Sequence, residues 1–126
     1  LSYIGYGGSG KQVRDILHIA DLFTLIETQV GMLDRVSGET YNVGGGRGVS
    51  VSLRELTDLC RRHTGREIPI ARSEASRPND LPLYLSDYRK VEGVTGWHPT
   101  RNPDQIIAEI VEWVRAHESA LRPVLS

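Results

Sequence analysis

Several kinds of residue are scarce in this sequence, and each scarcity excludes a class of protein. Cysteine occurs once, as Cys60, so no intrachain disulfide can form and a disulfide-stabilised secreted scaffold is excluded. No apolar run approaches the roughly 20 residues that cross a bilayer. The 15 basic and 16 acidic residues nearly cancel, which gives no electrostatic case for nucleic acid or an anionic membrane as a partner. We therefore predict a cytoplasmic protein that binds neither.

The residue patterns of catalysis and of metal binding are also missing. No tyrosine is followed four residues later by lysine, so the chain holds no Tyr-x-x-x-Lys pair. The histidines lack the spacing of metal ligands, and no Ser-His-Asp or Cys-His arrangement can be argued. We predict that the chain contains no catalytic residue and no metal site.

Short apolar segments alternate with amphipathic ones along the 126 residues, about the length of one domain. The pattern predicts extended segments at residues 1–4, 12–17, 40–43 and 68–71, and a short helix at residues 86–91. Such alternation favours an α/β or mixed α+β fold. Three or four short strands are too few for a complete doubly wound sheet, so the pattern indicates part of a larger fold.

Three longer helices are predicted, and two of them carry clear start signals. Ser52 and Glu55 form a capping-box pattern before the second helix, which Gly65 would end. Asn102 followed by Pro103 begins the third helix. The first helix shows apolar residues at helical spacing, which are Leu22, Leu25, Ile26 and Val30.

Two glycine-rich turns resemble phosphate-binding loops. Residues 5–10 satisfy the pattern G-x-G-x-x-G, and with Lys11 they nearly match a P-loop. No helix-start signal follows, and Gln12 replaces the Ser or Thr that binds magnesium, so we interpret this stretch as a flexible turn. A phosphate-binding protein that uses Lys11 is the alternative. For residues 44–48, before a capped helix, a phosphate-binding loop and a plain tight connection both remain open.

Three arginines lie where they could bind a diphosphate. Arg14 is in a β-like stretch, Arg47 in the second glycine-rich turn and Arg77 in a proline-containing loop. The planar guanidinium of arginine matches phosphate oxygens in two-point contacts. For each of them a surface ion pair is the commoner role.

Four segments, taken together, resemble a known family. They are GKQVRDILHIADL at residues 10–22, YNVGGG at residues 41–46, RPNDLP at residues 77–82, and SD, RK and GWHP within residues 86–99. In this order they resemble the extended short-chain dehydrogenase/reductases, the NAD-dependent epimerase/dehydratase family, and the resemblance covers essentially the whole chain. Residues 3–15 are most similar to the CDP-paratose (CDP-tyvelose) 2-epimerases of that family.

The resemblance implies a role for several residues. The chain would be the C-terminal, substrate-binding part of a Rossmann-type enzyme whose ligand is a nucleotide sugar, here CDP-linked. Arg14 and Arg77 match the arginines that grip the diphosphate of the nucleotide sugar, and Asn42 matches a residue near the nucleotide. Pro78 and Asp80 would shape the loop that follows Arg77.

The resemblance also implies that part of the enzyme lies outside residues 1–126. In the family, the cofactor fingerprint and the catalytic Tyr-x-x-x-Lys lie upstream of the segments matched here. We therefore expect this chain alone to bind no NAD and to have no epimerase activity. Apolar surfaces left without their partner would favour a homo-oligomer, and the alternative function is a self-associating module that binds no substrate.

Overall fold

The computed structural model describes residues 1–75 and 78–125, and it confirms a mixed α/β fold with few short strands and three main helices. The strands are β1 Ser2–Ile4, β2 Val13–Asp15, β3 Ser50–Ser52, β4 Ala71–Ser73 and β5 Leu83–Tyr84. The helices are α1 Ile19–Val30, α2 Leu33–Val36, α3 Leu53–Thr64, α4 Arg89–Thr95, α5 Pro103–Ala116 and α6 Glu118–Leu125. None of the helices in these ranges is long and apolar enough to cross a membrane.

The strands form two small sheets. β1 pairs in parallel with β4, and β2 lies between β3, which is antiparallel to it, and β5, which is parallel. Arg14, the middle residue of β2, lies opposite Val51 of β3 and Tyr84 of β5. Because both neighbouring strands hydrogen-bond to β2, the backbone that carries Arg14 is fixed on two sides.

Helix boundaries follow the start and stop signals of the sequence. The Ser52 side chain accepts a hydrogen bond from the Glu55 backbone N–H at 3.2 Å, and the Glu55 carboxylate accepts one from the Ser52 backbone N–H at 2.7 Å. Gly65 ends α3 in the left-handed conformation, with φ of 68°. Asn102 caps α5 and Pro103 occupies its first turn. The predicted capping box of α3, its glycine stop and the N-cap of α5 are therefore confirmed.

Two small apolar clusters form the interior. The first joins α1, α4 and the loop that follows α4. Its buried members are Leu25, Val91 and Trp97. The second joins β3, α3 and α5. Its buried members are Val51, Leu59 and Ile107.

The strand predicted at residues 40–43 is wrong. No backbone–backbone hydrogen bond joins these residues to another described residue, so they form no strand despite their β-like composition. The prediction at residues 68–71 is shifted, because pairing with β1 begins only at Ala71. The short strand β3 was missed, since three residues are too few to show a period.

The predicted apolar stripe of α1 is only partly buried. Leu25 is 1% exposed, but Ile26 and Val30 face solvent. They lie at helical spacing with two further exposed apolar residues, Ile19 and Phe23. We call Ile19, Phe23, Ile26 and Val30 the outer face of α1. The helix is therefore apolar on two sides, of which the described part of the chain covers one.

Candidate functional site

A cleft of about 210 Å³ lies between β1 of the first sheet and β2 of the second. We call it the Arg14 cleft. Its lining residues are Ser2, Ile4, Gln12, Arg14, Leu53 and Asp80. The cleft thus combines apolar walls with one cation, one carboxylate and one amide, a combination typical of sites for small polar ligands.

Arg14 is the cation of the cleft, and its side chain is 37% exposed. One terminal nitrogen, Nη2, donates to Oδ1 of Asp80 at 3.0 Å, and the other, Nη1, donates to the backbone oxygen of Val13 at 2.8 Å. A guanidinium carries further N–H donors beyond these two. Arg14 is therefore held in place and still has hydrogen atoms to offer an anion.

Asp80 is positioned by its loop. The Tyr6 hydroxyl donates to the backbone oxygen of Asp80 and so ties residues 5–10 to this loop. The preceding residue, Asn79, adopts a left-handed conformation with φ of 61°, which asparagine tolerates better than most residues. The loop turns there, and the Asp80 carboxylate reaches Arg14.

The structure brings together two of the residues singled out in the sequence. Arg14 and Asp80 form an ion pair in the cleft, so Asp80 does more than shape its loop. Pro78 is exposed beside it. Arg77 lies outside the described residues, and its role stays a prediction. Asn42 is exposed and is not among the residues that line the cleft, so its place near a nucleotide also stays a prediction.

Gln12 is a cleft residue that sequence reasoning missed. It is 4% exposed, and its Nε2 donates to the backbone oxygen of Ile4 at 2.5 Å. Its Oε1 is buried and accepts no hydrogen bond from any described residue. The period of a strand could have found it, because residues two apart on a strand point to the same side, as Gln12 and Arg14 do.

Two glycines of residues 5–10 are closely packed against neighbouring residues. A Cβ on Gly8 would lie 2.8 Å from Cβ of Arg72, and one on Gly10 would lie 3.1 Å from the ring of Tyr3. The next element is the strand β2, whereas a dinucleotide fingerprint and a P-loop both need a helix there. This loop therefore does not fit the dinucleotide fingerprint of an NAD site or a P-loop, and phosphate binding through Lys11 stays a prediction that the fold does not favour.

The second glycine-rich turn, residues 44–48, already binds a carboxylate. The backbone N–H of Gly46 donates to Oδ2 of Asp15 at 2.9 Å, and that of Ser86 donates to the same atom at 3.2 Å. The turn passes through a single 3₁₀ turn into β3 rather than directly into an α-helix. This favours the tight connection over a phosphate-binding loop, and it anchors the residue next to Arg14.

Comparison with known proteins finds no family model that matches the chain. It is 27% identical over 106 residues to CDP-paratose 2-epimerase of Salmonella typhi, an alignment that covers 84% of the chain and 31% of that protein. It is 33% identical over 126 aligned residues to dTDP-glucose 4,6-dehydratase of Xanthomonas campestris pv. campestris. That alignment covers 94% of this chain and 35% of that protein.

Similarity also extends to solved structures. UDP-glucose 4-epimerase from Bifidobacterium longum, solved in complex with NAD⁺ and UDP, superimposes with a TM-score of 0.71 at 25% identity. That match covers 93% of this chain and 34% of the other. The chain spans about a third of the length of each of these proteins.

Proposed function

We propose that this chain binds the diphosphate of a nucleotide sugar in the Arg14 cleft. The chain is a relative of the extended short-chain dehydrogenase/reductases that act as nucleotide-sugar epimerases and dehydratases. The observation that carries the proposal is the side chain of Arg14, which is fixed at the middle of β2 and only partly engaged by Asp80. The ligand we propose is CDP-linked, in keeping with the similarity to a CDP-paratose 2-epimerase.

The chemistry of the cleft suits such a ligand. A diphosphate is anionic and accepts hydrogen bonds, and a guanidinium supplies both charge and a matching fork of donors. The carboxylate of Asp80 is an acceptor that sugar hydroxyls can use, while Ile4 and Leu53 offer apolar surface to a base. A nucleotide sugar carries all three kinds of group in one molecule.

We propose that the chain is catalytically incomplete on its own. In the family the tyrosine of Tyr-x-x-x-Lys is the acid and base of the reaction, and such a role near neutral pH requires a tuned pKa. The sequence has no such pair, and the loop of residues 5–10 does not fit the cofactor. NAD and the catalytic tyrosine would therefore belong to a separate part of the enzyme. We place the protein in the cytoplasm, which its single cysteine supports.

Arg14→Ala is expected to weaken the binding of CDP about 10- to 150-fold, because hydrogen bonds to a charged group contribute about 1.5–3 kcal/mol. Isothermal titration calorimetry of the purified chain measures the loss. The matched control is Arg47→Ala, which removes an exposed arginine outside the cleft. The resemblance predicts a similar loss for Arg77→Ala. Equal affinities of the Arg14 and Arg47 variants would contradict the proposed site.

A second candidate function, self-association, is favoured by the outer face of α1. Four apolar side chains on one stripe are a large exposed surface, and such surfaces mark contact sites. The chain would then be a homo-oligomer. It could bind substrate as well, or it could be a non-catalytic module that binds no substrate. A module without a substrate role would show no preference among nucleotides.

Phe23→Glu is expected to convert the oligomer into a monomer, because it places a charge in the middle of the outer face of α1. Light scattering coupled to size-exclusion chromatography measures the mass. Thr24→Glu, at an exposed position one residue along the same helix, is the control and should leave the mass unchanged. A wild-type chain that is monomeric at high concentration would refute self-association.

A further inference from the structure

The charges that line the Arg14 cleft cancel each other. Among the described residues that line it, Arg14 is the one cation and Asp80 the one anion, and their side chains lie 3.0 Å apart. An anion that enters the cleft therefore meets a cation whose charge is already balanced. A carboxylate and a phosphate both bind a guanidinium through oxygen atoms, so Asp80 competes for the group that would hold a phosphate.

The ion pair also occupies part of the fork of donors on Arg14. Nη2 of Arg14 donates to Oδ1 of Asp80 at 3.0 Å. A two-point contact with a phosphate uses two neighbouring nitrogens of the guanidinium. With Asp80 in place, a phosphate would have to share Nη2 with a carboxylate of the same sign of charge, and the two anions would repel each other at this distance. Arg14 can therefore bind a phosphate fully only when Asp80 moves aside.

Residues 78–82 hold Asp80 in this position, and we call them the Asp80 strap. The backbone oxygen of Pro82 accepts a hydrogen bond at 3.0 Å from the backbone N–H at the start of β2. The Tyr6 hydroxyl donates to the backbone oxygen of Asp80. The Pro82 end of the strap is thus fastened by main chain, whereas the Asp80 end is fastened by the side chains of Tyr6 and Arg14, which can release it.

The backbone is strained on both sides of the Tyr6 contact. Tyr6 has a φ of 48° and Asn79 a φ of 61°, and within residues 1–75 and 78–125 they are the only non-glycine residues with positive φ. Such conformations cost free energy in residues with a side chain, and they concentrate at ligand clamps and switch segments. Because the hydrogen bond from Tyr6 to Asp80 joins the two strained places, releasing it would allow both to relax.

We propose that the Asp80 strap is an autoinhibitory contact, in which Asp80 occupies Arg14 in the free chain and an incoming diphosphate displaces it. Residues 78–80 then move away from β2, while Pro82 stays hydrogen-bonded to it. Arg14 becomes available only to a ligand that binds it more strongly than the carboxylate does, which disfavours singly charged anions. This inference rests on the proposed function, since it requires a diphosphate at Arg14.

Asp80→Asn is expected to raise the affinity for inorganic pyrophosphate about fivefold, the upper end of what a partly exposed ion pair contributes. The amide keeps the size of the side chain and removes the competing charge. Calorimetry of the purified chain measures the change. Asp34→Asn, which removes an exposed carboxylate of α2, alters the net charge equally and should leave the affinity unchanged. In an Arg14→Ala chain, Asp80→Asn should have little effect, because no cation is released.

A second variant separates the strap from a plain change of charge. Tyr6→Phe removes the hydroxyl that holds the backbone of Asp80 and leaves every charge of the cleft in place. It is expected to raise the affinity for pyrophosphate as well, and to add nothing when combined with Asp80→Asn. Circular dichroism checks the fold of each variant, and if Asp80→Asn does not fold the Tyr6→Phe comparison decides.

An unchanged or lower affinity in either variant would overturn the autoinhibitory role of the strap. If the binding of pyrophosphate or CDP still depends on Arg14 in that case, the proposed function survives. Binding of pyrophosphate by Asp80→Asn but not by the wild-type chain would support the strap most strongly. Failure of the wild-type chain and of both variants to bind pyrophosphate or CDP would overturn the strap and the proposed function together.

Discussion

Asp21→Ala is expected to lower the free energy of unfolding by about 3–5 kcal/mol, the loss typical of breaking a buried ion pair by removing one partner. Asp21 is 3% exposed and lies in the first turn of α1. Its carboxylate accepts from the Thr100 hydroxyl at 2.7 Å and from Nη1 of Arg101 at 2.9 Å. The backbone N–H groups of Thr100 and Arg101 also donate to it, each at 3.2 Å.

These bonds tie the start of α1 to the segment that leads into α5. The Nε1 of Trp97 adds a bond to the backbone oxygen of Asp21 at 2.8 Å. In the alanine variant two N–H groups, a hydroxyl and part of a guanidinium lose their acceptor in a partly buried place. Urea unfolding measures the loss, and Asp34→Ala, which removes an exposed carboxylate of α2, should change stability by less than about 0.5 kcal/mol.

The interactions of Asp21 also predict that the stability of the chain depends on pH. Burial alone would raise the pKa of Asp21, but the hydrogen bonds from Thr100 and Arg101 and the charge of Arg101 hold this pKa below its ordinary value. Because the folded-state pKa is the lower one, the stabilisation is complete above the unfolded-state pKa of about 3.9. It is lost as the pH falls through the folded-state pKa. Asp21→Asn should flatten this acid decline, and an unchanged decline would contradict the assignment.

Gly45→Ala is expected to destabilise the chain by about 3 kcal/mol, the upper end of the range for overpacking. A Cβ on Gly45 would overlap the backbone oxygen of Ile16 and lie 2.8 Å from Cβ of Val49. The first obstacle is main chain, which cannot move aside as a flexible side chain can. Ile16 directly follows β2, so the displaced backbone is close to the strand that carries Arg14.

Gly48→Ala is the matched control for this substitution. It lies three residues further along the same turn, and a Cβ there would meet no atom within 4 Å. We expect thermal unfolding of this variant within a few degrees of the wild type. Equal unfolding temperatures of the Gly45→Ala and Gly48→Ala variants would contradict the claim that close packing requires a glycine at position 45.

Features that depend on neighbouring residues could be predicted from the sequence. Ser52, Gly65 and Asn102 act within one helical turn, so their residue types suffice to place the ends of α3 and α5. The strand predicted at residues 40–43 failed for the opposite reason. Its composition suits a strand, but a strand requires a partner, and the described part of the chain provides none. The exposure of the outer face of α1 agrees with the expectation of apolar surfaces left without their partner, although periodicity alone did not show which side of the helix would be covered.

The candidate site was predictable only in part. The family resemblance pointed to Arg14 and to the loop of Asp80, but their direct ion pair required the fold to bring positions 66 residues apart together. The sequence did not identify Gln12 as a site residue, since an amide in a glycine-rich stretch has many possible roles. For the second glycine-rich turn the sequence left two readings open, and the strand β3 that comes before the next helix favours the tight connection.

The most direct test of the central claim is a ligand-observed NMR titration of the purified chain with CDP, UDP, CDP-glucose and NAD. We expect saturable binding of CDP and CDP-glucose, because we propose a diphosphate site in the Arg14 cleft, and no saturable binding of NAD, because the loop of residues 5–10 lacks the helix that a dinucleotide fingerprint requires. Absence of binding by all four ligands would contradict the account and leave a self-associating module as the better description of this chain.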